Sequence, residues 1–178
     1  VVVSLLVSLP LLGGTLLGGA FVKGWAATLD DNVFYQPVVA DGKVFVTATS
    51  YFGAMYVAAL DQATGVELWR HTFAAGHSLN PATYYNGRLY LQRGNHGSDT
   101  QLWALDAKTG ATIWSAPFSA QWGSYFAPAV DSTGIWINGG YYGGMYGFKH
   151  DGTQIKFVNE AQYDQWSPCL LYTSDAAD

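Results

Sequence analysis

Cysteine is almost absent from this chain: Cys169 stands alone, so no internal disulfide can form. A disulfide-poor chain suits the cytosol and equally suits bacterial secreted proteins held by aromatic cores, so cysteine usage assigns no compartment. Charge is scarce as well. Asp, Glu, Lys and Arg make up 12% of the residues, and the net charge is −5. There is no basic run, and an acidic balance gives no footprint for nucleic acid, which is not an expected partner. HExxH, paired CxxC, EF-hand, GxGxxG and Walker patterns are all missing, so neither a metal nor a nucleotide site has a sequence signature.

What is abundant points one way. Aromatic residues reach 16%, glycine counts 21, and about half of the chain is apolar. Glycine beside aromatic and β-branched residues is the mixture of an all-β protein with many tight turns, and not of a helical bundle. A chain of this length and apolar content can bury a substantial core.

The strongest pattern is a repeat. Ala59-Leu60-Asp61-Gln62-Ala63-Thr64-Gly65-Val66-Glu67-Leu68-Trp69 returns 45 residues later as Ala104-Leu105-Asp106-Ala107-Lys108-Thr109-Gly110-Ala111-Thr112-Ile113-Trp114. Each copy reads as a strand, a Thr-Gly reversal and a second strand that carries a tryptophan. Glycine accepts a positive φ without steric cost, and an Asp ahead of the turn can accept hydrogen bonds from its amides. The tryptophan, on the outermost strand, can lay its ring against the neighbouring copy. A period of about 40–50 residues with four short strands is the signature of a β-propeller.

These two copies resemble the pyrroloquinoline-quinone-type propeller repeat, whose tryptophan docking motif runs Ala-x-Asp-x-x-Thr-Gly-x-x-x-Trp. Ala59, Asp61, Thr64, Gly65 and Trp69 fill its fixed positions in one copy, and Ala104, Asp106, Thr109, Gly110 and Trp114 fill them in the other. The resemblance covers roughly Trp25 to Pro168. It implies an all-β partial propeller of four-stranded antiparallel blades, an open arc of about three blades out of a ring of about seven or eight. It does not decide activity, because the fold carries both enzymes and structural proteins.

Along the chain, residues 1–20 hold no charge, are rich in Val and Leu, and are interrupted by Pro10 and four glycines. They fit either the apolar part of a leader peptide or the remnant of a preceding segment. Any membrane association would run through this stretch alone. Residues 21–168 hold the repeats, and Trp25 lies 44 residues before Trp69, although its copy lacks the turn glycine. The blades fall roughly at 36–73, 80–118 and 127–158. Asp41-Gly42 and Asn86-Gly87 are type I′ hairpin turns. In the third blade the docking motif has decayed to Lys149-His150-Asp151-Gly152, and Phe157 is expected near the tryptophan's place. Residues 169–178 fit no strand and look like an artefactual tail.

Residues with the chemistry to act are His71, His77, His96, His150, Asp99, Glu160 and Asp164, together with aromatic turns. No spacing among them makes a metal site, and surface histidines in polar loops are the simpler expectation. Tyr51, Phe52, His96, Trp122, Tyr141 and Tyr142 form the candidate binding surface, with packing between blades as the alternative. No catalytic, cofactor-binding or metal residue is assigned.

The expected role is a non-catalytic extracytoplasmic scaffold or protein-interaction surface of bacterial type, with protein partners. The first alternative is a fragment of a quinoprotein dehydrogenase. The resemblance would then imply pyrroloquinoline quinone, calcium, an Asp base and a vicinal Cys-Cys disulfide. None of these can be placed on residues of this chain. A glycan-binding cell-surface protein is the second alternative. An arc with uncovered end blades is expected to self-associate.

Overall fold

The computed structural model describes residues 2–7, 22–29, 35–50, 52–94, 96–97, 99–121, 126–139 and 144–159, and those residues are built from strands and turns. β1 (Val2–Val7) pairs antiparallel with β2 (Val22–Thr28). A four-stranded blade follows, β3 (Val38–Ala40), β4 (Lys43–Ala48), β5 (Met55–Asp61) and β6 (Glu67–Phe73), ordered β3-β4-β5-β6. In the second blade, β7 (Thr83–Tyr85), β8 (Arg88–Arg93), β10 (Gln101–Asp106) and β11 (Thr112–Pro117) take the same antiparallel order. Two short strands, β9 (His96–Gly97) and β12 (Ala120–Gln121), pair with each other beside it. The third blade is β13 (Ala129–Val130), β14 (Ile135–Asn138), β15 (Met145–Phe148) and β16 (Gln154–Val158). Inner strands of neighbouring blades lie together, and the Thr83 hydroxyl of β7 donates to the Pro128 carbonyl just before β13.

The middle strands explain why the sequence reads as near-continuous apolar runs. β5 is buried along both faces. Its Met55, Val57 and Ala59 pack toward the second blade with Leu79, Leu89, Leu91 and Leu105. Its Tyr56, Ala58 and Leu60 pack with Trp25 and Leu29 on the other side. On β10, Leu102 and Ala104 join Val130, Ile135, Ile137 and Phe148 of the third blade. A sheet sandwiched between two others has no solvent face, so its side chains need not alternate in polarity. Each fully buried Leu or Ile contributes about 1.5–3 kcal/mol of apolar burial.

The turns follow from their residues. Asp41 and Gly42 have φ of 49° and 69°, and Asn86 and Gly87 have 46° and 77°, the paired positive values of a type I′ hairpin. At the other turn, Asp61 Oδ1 accepts the Ala63 amide (3.0 Å), the Thr64 amide (2.8 Å) and the Thr64 hydroxyl (2.8 Å). Asp106 Oδ1 does the same with Lys108, Thr109 and the Thr109 hydroxyl at 3.0, 2.8 and 2.8 Å. In the third blade Asp131 accepts from the Thr133 amide and hydroxyl at 2.8 and 2.6 Å.

Three tryptophans sit at equivalent joints. The indole N–H of Trp25 donates to the Gln62 carbonyl (2.9 Å), that of Trp69 to Ala107 (3.3 Å) and that of Trp114 to His150 (2.9 Å). Each ring also covers a glycine at positive φ: a Cβ built on Gly65 would lie 2.5 Å from Trp25, on Gly110 2.5 Å from Trp69, and on Gly152 2.9 Å from Trp114. Trp25 is buried, while Trp69 and Trp114 are half-buried.

The outer strands share an irregularity. Leu60 pairs with Glu67 and Ala59 with Trp69, which leaves Leu68 as the extra residue of a bulge. Ile113 is the extra residue in β11 and Ile155 in β16. The same step occurs between β1 and β2, where Leu6 pairs with Lys23 and Leu5 with Trp25. That register makes β1 and β2 the counterparts of the third and fourth strands of a blade, and Trp25 occupies its joint although no Thr-Gly turn precedes it. In β16 the tryptophan's register position, opposite Gly147, belongs to Lys156. Phe157 stands one residue beyond it and packs on Tyr146 with ring centroids 4.7 Å apart.

Candidate functional site

Because the strands alternate in direction, every blade has two ends. The Asp-Gly, Asn-Gly and Thr-Gly turns share one. Of the described residues, 49–50, 52–54, 74–82, 94, 96–97, 99–100, 118–121, 126–128, 139 and 144 share the other, the loop end. Loops held on such a scaffold are where binding residues concentrate.

At the loop end, His77 stands between two residues of the candidate binding surface. Phe52 meets its ring edge-on with centroids 5.6 Å apart, and His96 stacks on it at 5.9 Å with planes 27° apart. Phe52 is 61% exposed. Its backbone has φ of 59° and its amide donates to the Gly76 carbonyl at 3.0 Å, so the ring is presented from a fixed turn. Burial, and then the neighbouring His96, push the His77 pKa below its ordinary 6.5, while Asp99 pulls the other way. A neutral imidazole is the result.

The loop bearing His96 is anchored twice. The His96 amide donates to Asp99 Oδ1 (3.0 Å), and the β9–β12 ribbon pairs His96 with Gln121 and Gly97 with Ala120. Gly94, with φ of 83°, lets the chain pass so close to Asp99 that a Cβ would lie 2.4 Å from its carbonyl oxygen. Arg93 ties this loop to the first blade by donating to the Ala74 and Ala75 carbonyls at 3.2 and 2.9 Å.

Beneath lies a buried polar cluster. The Asn80 amide group donates to Gln92 Oε1 (3.1 Å), the Gln92 amide group donates to the Gly94 carbonyl (3.2 Å), and the Ser78 hydroxyl donates to that same carbonyl (3.3 Å). Asn80, Gln92 and Ser78 are all buried. Satisfied networks of this kind rigidify the loops above them.

Phe52 and His96 are therefore brought together, through His77. Tyr51, Trp122, Tyr141 and Tyr142 lie outside the described residues, as do Glu160 and Asp164. The repeat-motif residues Ala59, Asp61, Thr64, Gly65 and Trp69, with Ala104, Asp106, Thr109, Gly110 and Trp114, lie along the strands and turns away from the loop end. His71 is engaged toward the turn end, where its Nδ1 meets the Gly110 carbonyl at 2.8 Å. His77 was recognisable as a polar-loop histidine, but nothing in its spacing indicated that it is buried between Phe52 and His96. Among the described residues no three His, Cys, Asp or Glu side chains converge as metal ligands do.

Comparison with known proteins agrees with this architecture. The chain is 32% identical over 128 residues to the dehydrogenase subunit of alcohol dehydrogenase (quinone) from Gluconobacter oxydans, covering 64% of this chain and 16% of that protein. The same figures hold for the corresponding subunit from Komagataeibacter europaeus. The chain thus spans only about a sixth of the length of these curated relatives. Among solved structures, BamB from Moraxella catarrhalis superimposes with a TM-score of 0.59 at 20% identity, over 77% of this chain and 40% of that one. Quinohemoprotein alcohol dehydrogenase from Comamonas testosteroni gives 0.56 at 17% identity, over 82% of this chain and 32% of that one. The family described as outer membrane protein assembly factor BamB matches residues 53–166. The chain belongs to that family of pyrroloquinoline-quinone-like repeat propellers.

Proposed function

We propose that this chain is part of an extracytoplasmic propeller that works as a protein-interaction scaffold, with Phe52 at the centre of one contact surface. The observation that carries this is the fixed exposure of Phe52. A large aromatic ring that is 61% exposed and held by a turn and a buried histidine has little freedom left to lose on binding. Rigid aromatic anchors of this type dominate the energetics of protein interfaces. The family's description as an outer-membrane assembly factor supports both the compartment and the class of partner. A photo-crosslinking residue at position 52 in the full chain, with one at Leu68 on the outer rim as control, tests the idea. A discrete protein adduct at 52 and none at 68 is expected. Equal labelling at both positions, or none at 52, would sink it.

The curated relatives favour a second reading, a segment of a quinone-dependent dehydrogenase. Quinone and calcium would supply redox chemistry there. Saturable dye reduction that requires added pyrroloquinoline quinone and calcium, and is lost on chelation, would favour this reading over the scaffold.

A further inference from the structure

The two joints around the second blade are lined by different side chains, and the second holds a pocket. At the first joint, Tyr84 of β7 stacks on Phe45 with ring centroids 6.2 Å apart and planes 13° apart, and its hydroxyl donates to the Asp41 carboxylate. At the second joint the inner-strand residue in the same register is Val130, which pairs with Ile135 as Tyr84 pairs with Leu89. Valine has neither the reach nor the hydroxyl. A half-enclosed pocket of about 330 Å³ lies at this second joint, lined by Tyr85, Asn86, Arg88, Tyr90, Ser132 and His150.

The lining is cationic and rich in donors. Arg88 donates to the His150 carbonyl at 2.8 Å, and no carboxylate pairs with it among the described residues. His150 is locked in place: its Nε2 meets the Asp131 carbonyl at 2.8 Å and its Nδ1 the Tyr90 hydroxyl at 3.0 Å. A carbonyl can only accept, so Nε2 carries the proton and Nδ1 accepts from Tyr90. Tyr85 stacks on the imidazole at 5.3 Å with planes 14° apart, forming a flat wall. The Tyr85 and Ser132 hydroxyls and the Asn86 amide make no protein hydrogen bond among the described residues. Asp131, beside Ser132 in the chain, is directed into its own turn, where it accepts from Thr133 and Gly134.

We propose that this pocket binds a small carboxylate. Its volume lies at the lower end of the range for small-molecule sites. One guanidinium balances one negative charge, and its planar fork matches the two oxygens of a carboxylate. The surrounding hydroxyls and amide can complete the remaining hydrogen bonds. The source is either a free carboxylic acid or the carboxylate of an acidic peptide.

Calorimetric titration of the full chain with succinate, inorganic phosphate and an Asp-containing hexapeptide tests this at low salt. Two variants accompany it. Val130→Tyr places in this joint the ring that fills the other one, and Arg88→Gln removes the charge while leaving the blade's strands intact. Saturable succinate binding is expected in the parent chain, reduced at least tenfold by Arg88→Gln and abolished by Val130→Tyr. Peptide binding tighter than succinate would identify a protein segment as the source, and the reverse a metabolite. Absence of carboxylate binding, stronger binding of phosphate, or binding that survives Val130→Tyr would overturn the assignment. Circular dichroism of both variants separates loss of the pocket from loss of the fold.

Discussion

The two ends of the blades are built on opposite terms. At the turn end, the same atoms meet three times: an indole N–H on a main-chain carbonyl, and an indole face on a glycine that leaves no room for a Cβ. At the loop end, no two described loops agree. One presents Phe52 from a left-handed turn, and another folds over into the β9–β12 ribbon around His96. The turn end repeats because every blade must fit the next one. The loop end is free of that constraint, and variation there changes what the surface can bind.

That contrast can be broken most directly at a joint. Trp69→Ala is expected to cost about 2–4 kcal/mol, somewhat below the usual range for a fully buried aromatic because the ring is half-buried. Trp114→Ala should match it within error. Denaturant unfolding with both variants checks this, and a large inequality between them would mean the joints are not equivalent.

Below this in size is the buried cluster under the loops. Asn80→Ala removes the donor to Gln92 Oε1 and leaves a buried acceptor unsatisfied, at a cost of about 1–3 kcal/mol. Hydrogen exchange should show lost protection in 94–100 while the Thr-Gly turns keep theirs. Uniform loss across both ends would merge the two regions into one unit.

Acid should separate the ends in order. His77 binds a proton less well in the folded chain than at its ordinary pKa of 6.5, so the unfolded chain takes up the proton first. Stability is therefore intact above pH 6.5 and falls as pH drops through that value. Hydrogen bonds from the Thr64, Thr109 and Thr133 hydroxyls and the Thr153 amide hold Asp61, Asp106, Asp131 and Asp151 below their ordinary 3.8. Their contribution is present above pH 3.8 and is lost as pH falls below it. Exchange measured from pH 7 to 3 should find the loop end opening first. Simultaneous opening would contradict the assignment of His77.

The smallest effect on stability belongs to the residue with the largest proposed effect on binding. Phe52→Ala should change the unfolding free energy by less than about 0.5 kcal/mol, as exposed positions do. A loss as large as that of Trp69→Ala would make Phe52 a packing residue and remove it from the surface.

Much of the turn end is legible in the sequence because each of its features is carried by a residue type with little alternative. Asp-Gly and Asn-Gly select a type I′ hairpin, and the β-propeller follows from two copies of one strand–turn–strand unit 45 residues apart. The pairing of β1 with β2 is not legible. Its partners are separated by a long connection, and its bulge register appears only once the strands are laid side by side. Lys156 in the tryptophan's position is legible by count, since it follows Gly152 by four as Trp69 follows Gly65 and Trp114 follows Gly110; the aromatic ring of Phe157 draws the expectation one residue too far. At the loop end, two-residue strands such as β9 and β12 are too short for any periodicity. The meeting of Phe52, His77 and His96 depends on how two blades sit together, which no local pattern encodes.

The joints also bear on how such a ring can grow. The tryptophan's acceptor is a main-chain carbonyl, supplied by Gln62, Ala107 and His150 in turn. Its stacking partner is a glycine, defined by a side chain it does not have. The seam is therefore blind to the identity of the residue that provides the acceptor, and His150 could be recruited to another task without disturbing it. At this contact, duplication or exchange of a blade asks for no matching side chain, so what limits such rearrangement is the apolar packing between the sheets.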